Sequence, residues 1–254
     1  MPTAHKLHAL VLQATDHGES DRVVALLTAE RGKLAAFAHG ARASRRRFGG
    51  ALEPFNLLAA ELRERPGGGL WTLESAAVAR GFGAIRGDLA RIACAAYACD
   101  LARSLVREQE AHPDLYALLL ALLERLDAAP AEPAALRAFE LGALRATGLL
   151  PRLDACARCG GALPGAPARL AFSPEDGGFL CAGCAPGAPR APRCGPDAAV
   201  ALRRLAEGGL AAAGPLPGPV AAEARDLLTR FLEHHLGRRL PSRRFLDEVG
   251  PMLG

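Results

Sequence analysis

The chain has 254 residues, of which 50% are hydrophobic and 23% charged, with a formal net charge of +4. This composition is typical of a folded globular protein and excludes a largely disordered chain. The longest nearly pure apolar run, residues 115–123, is less than half as long as a membrane span. We therefore expect a cytoplasmic protein large enough for two or three small domains.

The first 80 residues contain five short apolar segments separated by turn signals rich in glycine and proline. We predict strands at these positions: 6–13, 22–28, 33–39, 52–63 and 70–80. Five strands at this spacing favour a small closed barrel, since closure leaves no exposed sheet edge. An OB-fold has this strand count and often binds single-stranded nucleic acid.

From residue 87 onward the apolar residues recur at helical spacing instead. The pattern predicts helices at 89–105, from 113, at 134–147, at 198–207 and at 220–236. A stretch rich in proline, glycine and cysteine, residues 151–195, interrupts the helices. The prediction is an α+β multidomain protein with an OB-fold domain at 1–82, a helical domain at 83–150 plus 195–254, and a metal-binding insertion at 151–194.

The cysteines carry the strongest chemical signal. Two Cys-x-x-Cys pairs, Cys156 with Cys159 and Cys181 with Cys184, are separated by 21 residues. Four thiolates at this spacing can converge tetrahedrally on one zinc ion, and they leave no coordination position for catalysis. We therefore predict one structural zinc, with Cys194 as a free thiol.

A loop of residues 40–50, between the third and fourth predicted strands, is rich in arginine and contains no acidic residue. Its candidate nucleic-acid contacts are Arg42, Arg45, Arg46, Arg47 and Phe48. The arginines can follow a phosphate backbone while the phenylalanine stacks on a base. A solvated loop explains such a run of charge equally well, but attachment to a barrel favours nucleic acid.

A second basic cluster follows the last long predicted helix and contains Arg238, Arg239, Arg243 and Arg244. Cations near the C-terminus of a helix interact favourably with its dipole. A structural role is therefore slightly favoured here, with a second DNA-binding patch as the alternative.

Motifs of common enzyme classes are missing from the sequence. There is no Walker lysine motif and no Gly-x-Ser-x-Gly elbow, and the glycines at 81–87 lack the spacing of a dinucleotide-binding fingerprint. We expect a non-catalytic protein.

Three stretches together resemble the RecO family of bacterial DNA repair and recombination proteins. The first stretch, near the N-terminus, comprises residues 18–28, 32–42 and 52–57. The second comprises residues 136–141, 148–151 and 156–160, and the third is residues 231–246. Their order and spacing agree over nearly the whole chain, which is far more specific than any single motif.

This resemblance implies an N-terminal OB-fold, a helical domain and a zinc ribbon set within it. It also implies binding of single- and double-stranded DNA, annealing of complementary strands, contact with the C-terminal tail of the single-strand-binding protein SSB, and loading of RecA together with RecR at the nucleoid. Lys33 and Arg42 match basic positions of the family's N-terminal domain. His39 stands where many relatives have a basic residue.

Two other classes of protein remain open from the sequence. One is a zinc-ribbon factor that binds RNA or associates with transcription, and the other is a scaffold that binds proteins and has no DNA affinity.

Overall fold

The computed structural model describes residues 4–44, 46–65, 68–164 and 168–249. Contacts between Cα atoms divide the chain into two compact units, Met1–Pro130 and Ala131–Gly254. Each unit is described separately below. In the described residues, no helix has both the length and the apolar character needed to span a membrane.

The first unit begins with a closed five-stranded barrel, as the sequence predicts. Its strands are β1 (Ala4–His17), β2 (Asp21–Thr28), β3 (Gly32–Ala38), β4 (Leu57–Arg63) and β5 (Trp71–Arg80), in the order β1-β2-β3-β5-β4. The barrel closes because β1 pairs with β4 through its first half and with β2 through its second half. A register shift between Val11 and Gln13 allows this change of partner, as bulges do at barrel corners.

The fourth strand begins later than the sequence predicts. Residues 52–56 form a turn before β4, and Phe55 adopts a positive φ of 75°. The side chain of Asn56 closes this turn by donating a hydrogen bond to the carbonyl oxygen of Ala51 at 2.9 Å. The apolar residues at 52 and 55 therefore pack as part of a loop and not as strand residues.

Alternating side chains of the strands fill the barrel interior. On β3, Leu34, Ala36 and Ala38 are fully buried, while the residues between them are only partly buried. Trp71 at the start of β5 is 1% exposed and belongs to the same core. Small residues on β3 opposite a large one on β5 give the close packing that a small barrel requires.

Three helices complete the first unit: α1 (Gly83–Arg86), α2 (Leu89–Leu105) and α3 (Pro113–Ala128). Asp88 caps α2 by accepting a hydrogen bond from the backbone N–H of Arg91 at 2.9 Å. These helices belong to the same compact unit as the barrel, whereas the predicted domain boundaries grouped 83–128 with the C-terminal helices.

The second unit is helical and contains a small sheet. Its elements are α4 (Pro133–Ala146), β6 (Leu170–Ser173), β7 (Gly178–Leu180), β8 (Arg193–Cys194), α5 (Pro196–Gly208), α6 (Gly218–Leu236) and α7 (Pro241–Val249). The sheet has the order β7-β6-β8 and lies in the cysteine-rich stretch between α4 and α5. The sequence-based prediction did not include the strand β8 or the helix α7, which carries Arg243 and Arg244 of the second basic cluster.

Candidate metal centre and nucleic-acid interface

The two Cys-x-x-Cys pairs converge on one point, as predicted. The sulfur atoms of Cys156, Cys159, Cys181 and Cys184 all lie within 4.8 Å of one another. The Sγ atoms of Cys159 and Cys181 are 3.7 Å apart. Zn–S bonds of about 2.3 Å in a tetrahedron give S–S distances of about 3.8 Å. The four residues therefore fit a tetrahedral, zinc-like ion with an all-thiolate shell.

Tight turns aim the sulfur atoms of each pair in the same direction. In the first pair, the backbone N–H of Gly160 donates to the carbonyl oxygen of Cys156 at 2.9 Å. In the second pair, the N–H of Cys184 donates to the carbonyl oxygen of Cys181 at 3.1 Å. A further hydrogen bond, from Ala157 N–H to the carbonyl oxygen of Phe179 at 2.8 Å, joins the first pair to β7.

Arg158, between the first two cysteines, connects both pairs to the β6–β7 hairpin. Its guanidinium donates two hydrogen bonds of 2.8 Å to the carboxylate of Asp176, and one of 3.1 Å to the carbonyl oxygen of Cys184. The hydroxyl of Ser173 also donates to Asp176, at 2.7 Å. A cation placed here offsets part of the double negative charge of a zinc–tetrathiolate centre.

Hydrogen bonds within the cluster divide the thiol protons unequally. Burial raises the pKa of Cys156, but backbone N–H groups, first that of Cys181, lower it to about 6. Hydrogen bonding, first with Cys181, raises the pKa of Cys184 to about 12. Cysteine binds metals as the thiolate, so metal binding to the four thiols releases protons.

The remaining cysteine of the stretch has a different environment. Cys194 on β8 is fully buried and donates a hydrogen bond to the carbonyl oxygen of Gly195 at 3.3 Å. Burial, followed by the charge of Glu223, raises its pKa to about 12. Its sulfur does not belong to the metal-binding group found among the described residues, and it packs as a small apolar residue.

The arginine-rich loop at 40–50 folds back onto the barrel through backbone hydrogen bonds. Arg42 N–H donates to the carbonyl oxygen of Ser20 at 3.0 Å, and the carbonyl oxygen of Arg47 accepts from Ala76 on β5 at 3.0 Å. The carboxylate of Asp21 accepts from the N–H of Gly40 at 2.7 Å. The loop thus has a defined path along the barrel, which places its charged side chains.

The loop arginines differ in how far neighbouring carboxylates neutralise them. Arg42 is exposed, with Nε 3.8 Å from Asp16, a carboxylate that also pairs with Arg22 at 2.9 Å. Arg46 and Arg47 are exposed, and within the described parts of the chain no carboxylate lies at ion-pair distance from either. Arg45 lies outside the described residues. Among the arginines of the loop that the structure describes, Arg46 and Arg47 therefore keep more of their positive charge available than Arg42.

Phe48 does not occupy the position that base stacking requires. Its side chain is 2% exposed and packs in the barrel core with Ala51 and Leu52. The guanidinium of Arg47 lies over the ring, 5.1 Å from its centroid. The expectation that Phe48 stacks on a base is therefore wrong, because the loop uses this ring as its apolar anchor.

Lys33 is also held inside the first unit. Its ammonium donates hydrogen bonds to the carbonyl oxygens of Arg103 at 2.9 Å and Val106 at 2.7 Å, at the C-terminal end of α2. Burial lowers its pKa. The neighbouring Gly32 has φ +64°, and a Cβ atom there would lie 1.8 Å from the carbonyl oxygen of Glu110. In this structure the Lys33 ammonium caps a helix, an arrangement that favours a structural role over the DNA contact expected from the resemblance.

The second basic cluster is largely paired with acidic residues of the same unit. Arg243 is 4% exposed and donates to Asp247 at 2.8 Å, and its guanidinium lies 3.9 Å from Glu140. Glu140 is fully buried and accepts two hydrogen bonds from Arg137, at 2.5 and 2.6 Å.

The remaining members of this cluster lie at the surface. Arg239 contacts Asp247 at 2.5 Å, Arg244 lies 3.5 Å from Glu248, and Arg238 is exposed. Arg243 is therefore a core residue, in line with the structural role favoured from the sequence and not with the alternative of a second DNA-binding patch. The surface arginines beside it carry carboxylate partners or lie at the end of α6.

Comparison with known proteins assigns both parts of the chain. The family model described as "Recombination protein O N terminal" matches residues 1–82, and the one described as "Recombination protein O C terminal" matches residues 86–244. A DNA repair protein RecO of Anaeromyxobacter sp. (strain K) is 65% identical over 98% of both chains. Those of Myxococcus xanthus and Geobacter sulfurreducens are 49% and 39% identical, over at least 95% of each chain.

Proposed function

Because the chain belongs to the recombination protein O (RecO) family over nearly its whole length, we propose that it is a non-catalytic, DNA-binding mediator of recombinational repair. It binds single- and double-stranded DNA and anneals complementary strands. Together with RecR it helps load RecA onto DNA coated by SSB, which it engages through the C-terminal tail of SSB. It works in the cytoplasm, at the nucleoid.

The observation that supports DNA binding is the charge on the barrel loop. Arg46 and Arg47 are exposed on a well-packed backbone and have no carboxylate at ion-pair distance among the described residues, although Arg47 also donates a hydrogen bond to the carbonyl oxygen of His39. Guanidinium groups in this state bind phosphates and release the counterions that surround a nucleic acid. Contacts of this kind are independent of base sequence, as strand annealing requires.

Annealing follows from holding two polyanions on one cationic surface. The repulsion between two strands opposes their approach, and bound arginines screen it. The bases are not read by these contacts, so their pairing edges remain free. The metal centre takes no part in this step; when bound, zinc supplies only a structural cross-link between the two cysteine pairs.

The decisive experiment measures annealing of complementary oligonucleotides coated with SSB, with and without this protein. We expect the wild-type protein to accelerate annealing and the double variant R46A/R47A to lose most of the acceleration. R204A/R230A is the matched control, because Arg204 on α5 and Arg230 on α6 are exposed arginines of the second unit. It removes the same number of positive charges from that unit.

The outcomes separate the three candidate functions. Preference for RNA over DNA of matched sequence would favour an RNA-binding factor. Binding of partner proteins with no DNA affinity at low salt would favour a scaffold. Acceleration that is equal in the wild type and in R46A/R47A would move the DNA-binding surface away from the loop.

A further inference from the structure

An aromatic cluster lies on the outer face of the barrel. The alternation on β3 directs Leu34, Ala36 and Ala38 into the core, so Phe37 points to the opposite side. Its ring is partly exposed, unlike that of Phe48. A large aromatic residue on the outer face of a filled barrel contributes nothing to the core inside.

Three side chains surround the Phe37 ring. The ring centroid lies 5.2 Å from that of His17 at the end of β1, and 4.4 Å from that of His39 just after β3. The guanidinium of Arg65, after β4, lies 5.6 Å from the same centroid. Residues from three parts of the barrel thus form one patch, which we call the aromatic platform: His17, Phe37, His39 and Arg65.

Hydrogen bonds hold the platform in place. Arg65 donates from Nε to the hydroxyl of Thr72 on β5 at 3.1 Å, and its Nη2 lies 3.3 Å from Nε2 of His39. Fixing the planar guanidinium beside the rings reduces the entropy lost when a flat ligand is bound.

The platform adjoins the arginine-rich loop directly. The guanidinium of Arg47 donates to the backbone carbonyl oxygen of His39 at 2.6 Å. A strand whose phosphates contact Arg46 and Arg47 therefore passes beside the platform. Positively charged grooves lined with aromatic rings are the common design of single-strand binding sites.

The local charge selects which part of a nucleotide fits. Asp21 lies 3.7 Å from Nδ1 of His39, and the N–H of Gly40 is the first cause that lowers the pKa of its carboxyl group. An ionised carboxylate at the edge of the platform repels a phosphate but leaves a neutral base unaffected. Arg46 and Arg47, which have no carboxylate at ion-pair distance among the described residues, are the better contacts for phosphates, and the Phe37 ring offers the apolar surface for a base.

We propose that the aromatic platform stacks on an unpaired base of single-stranded DNA held by the loop arginines. This proposal rests on the DNA binding proposed above. It adds that the loop arginines contact phosphates and that the aromatic platform contacts a base. A base stacked by its face keeps its pairing edge free for the complementary strand. In a duplex both faces are already covered, so the platform favours single strands.

The test compares two ligands of equal length and charge, oligo(dT) and an oligomer of abasic deoxyribose phosphates. We expect the wild-type protein to bind oligo(dT) roughly 5- to 160-fold more tightly, the range expected for one stacked base. In Phe37→Leu this ratio falls to about 1, while affinity for the abasic oligomer stays the same. Phe37→Trp retains the preference, because it retains an aromatic face.

A second measurement is independent of any variant. An oligonucleotide carrying 2-aminopurine reports stacking through loss of its fluorescence, and we expect quenching on binding to the wild-type protein. Equal binding of both ligands by the wild type, without quenching, would overturn the platform and leave the proposed DNA binding intact. Failure to bind either ligand would instead overturn the proposed function itself.

Discussion

The two compact units place their clustered arginines in different environments. In Met1–Pro130, the arginine-rich loop presents Arg46 and Arg47 to solvent. In Ala131–Gly254, the charges of Arg137, Glu140 and Arg243 are buried against one another. Runs of arginine that look alike in the sequence thus include exposed side chains in one unit and a buried ion-pair network in the other.

The largest effect that sharpens this contrast is expected from removing the metal. Zinc binding to a four-cysteine site contributes on the order of 10 kcal/mol to the free energy of folding. Removal of the metal by a chelator should therefore unfold most of residues 151–190. Metal analysis should give one zinc per chain, and hydrogen exchange should rise in that stretch while the barrel stays protected. Cys194→Ser should retain the ion and Cys159→Ser should lose it. Protein purified gently without any metal would contradict the assignment.

The next largest effect is expected on stability, when Arg243 and its neighbour Arg244 on α7 are substituted separately. Arg243→Met removes a buried cation from the network of Glu140 and Asp247, and we expect it to lower the free energy of unfolding by about 3 kcal/mol. Arg244→Ala, at an exposed pair with Glu248, should change it by less than about 0.5 kcal/mol. Urea denaturation measures both values. Similar losses in the two variants would show that the buried network is not the cause.

Lys33→Met tests whether a basic residue of the first unit acts structurally. Losing the ammonium leaves the carbonyl oxygens of Arg103 and Val106 without their donor, so stability should fall by about 1–3 kcal/mol. Affinity for single-stranded DNA should stay within about twofold of the wild type at temperatures where both are folded, since the contact faces α2. A large loss of DNA affinity without a loss of stability would show that Lys33 contacts DNA and contradict its structural role.

The smallest effect on stability, at most about 1 kcal/mol, is expected for R46A/R47A, because Arg47 loses only exposed hydrogen bonds to His39 and Ser44. Its effect on DNA binding, in contrast, is clear. If about four arginines contact phosphates, log affinity should fall with log salt at a slope of about −3, and removing two should flatten it by about 1.4. Arg239→Ala combined with Arg244→Ala should leave the slope unchanged, because these side chains face Asp247 and Glu248. If both double variants flattened the salt slope equally, the arginines of the two units would contribute alike to DNA binding, contrary to the contrast drawn above.

The sequence predicted those features that depend on local spacing. The paired cysteines at 156–159 and 181–184 indicate a tetrathiolate site because two short turns suffice to aim their sulfurs. The five-stranded barrel followed in the same way from strand-length apolar segments and turn signals. The two-residue strand β8 was missed, because it is defined by pairing with β6 and has no pattern of its own.

The individual DNA contacts were harder to predict, since they depend on which way a side chain finally points. Phe48 follows three arginines, yet the loop turns its ring into the core. Lys33 opens a strand, yet its ammonium reaches the end of a helix seventy residues away in sequence. A usable signal existed for Phe37, since the alternation of Leu34, Ala36 and Ala38 already places it outside the barrel.

The turn at Gly32 limits how the barrel can diversify. Any side chain there would collide with the backbone at Glu110, whereas the tip residues Glu30 and Arg31 are exposed. The position where the turn enters β3 therefore has to remain glycine. Engineering of binding strength should leave residue 32 unchanged and begin at residues 39–56.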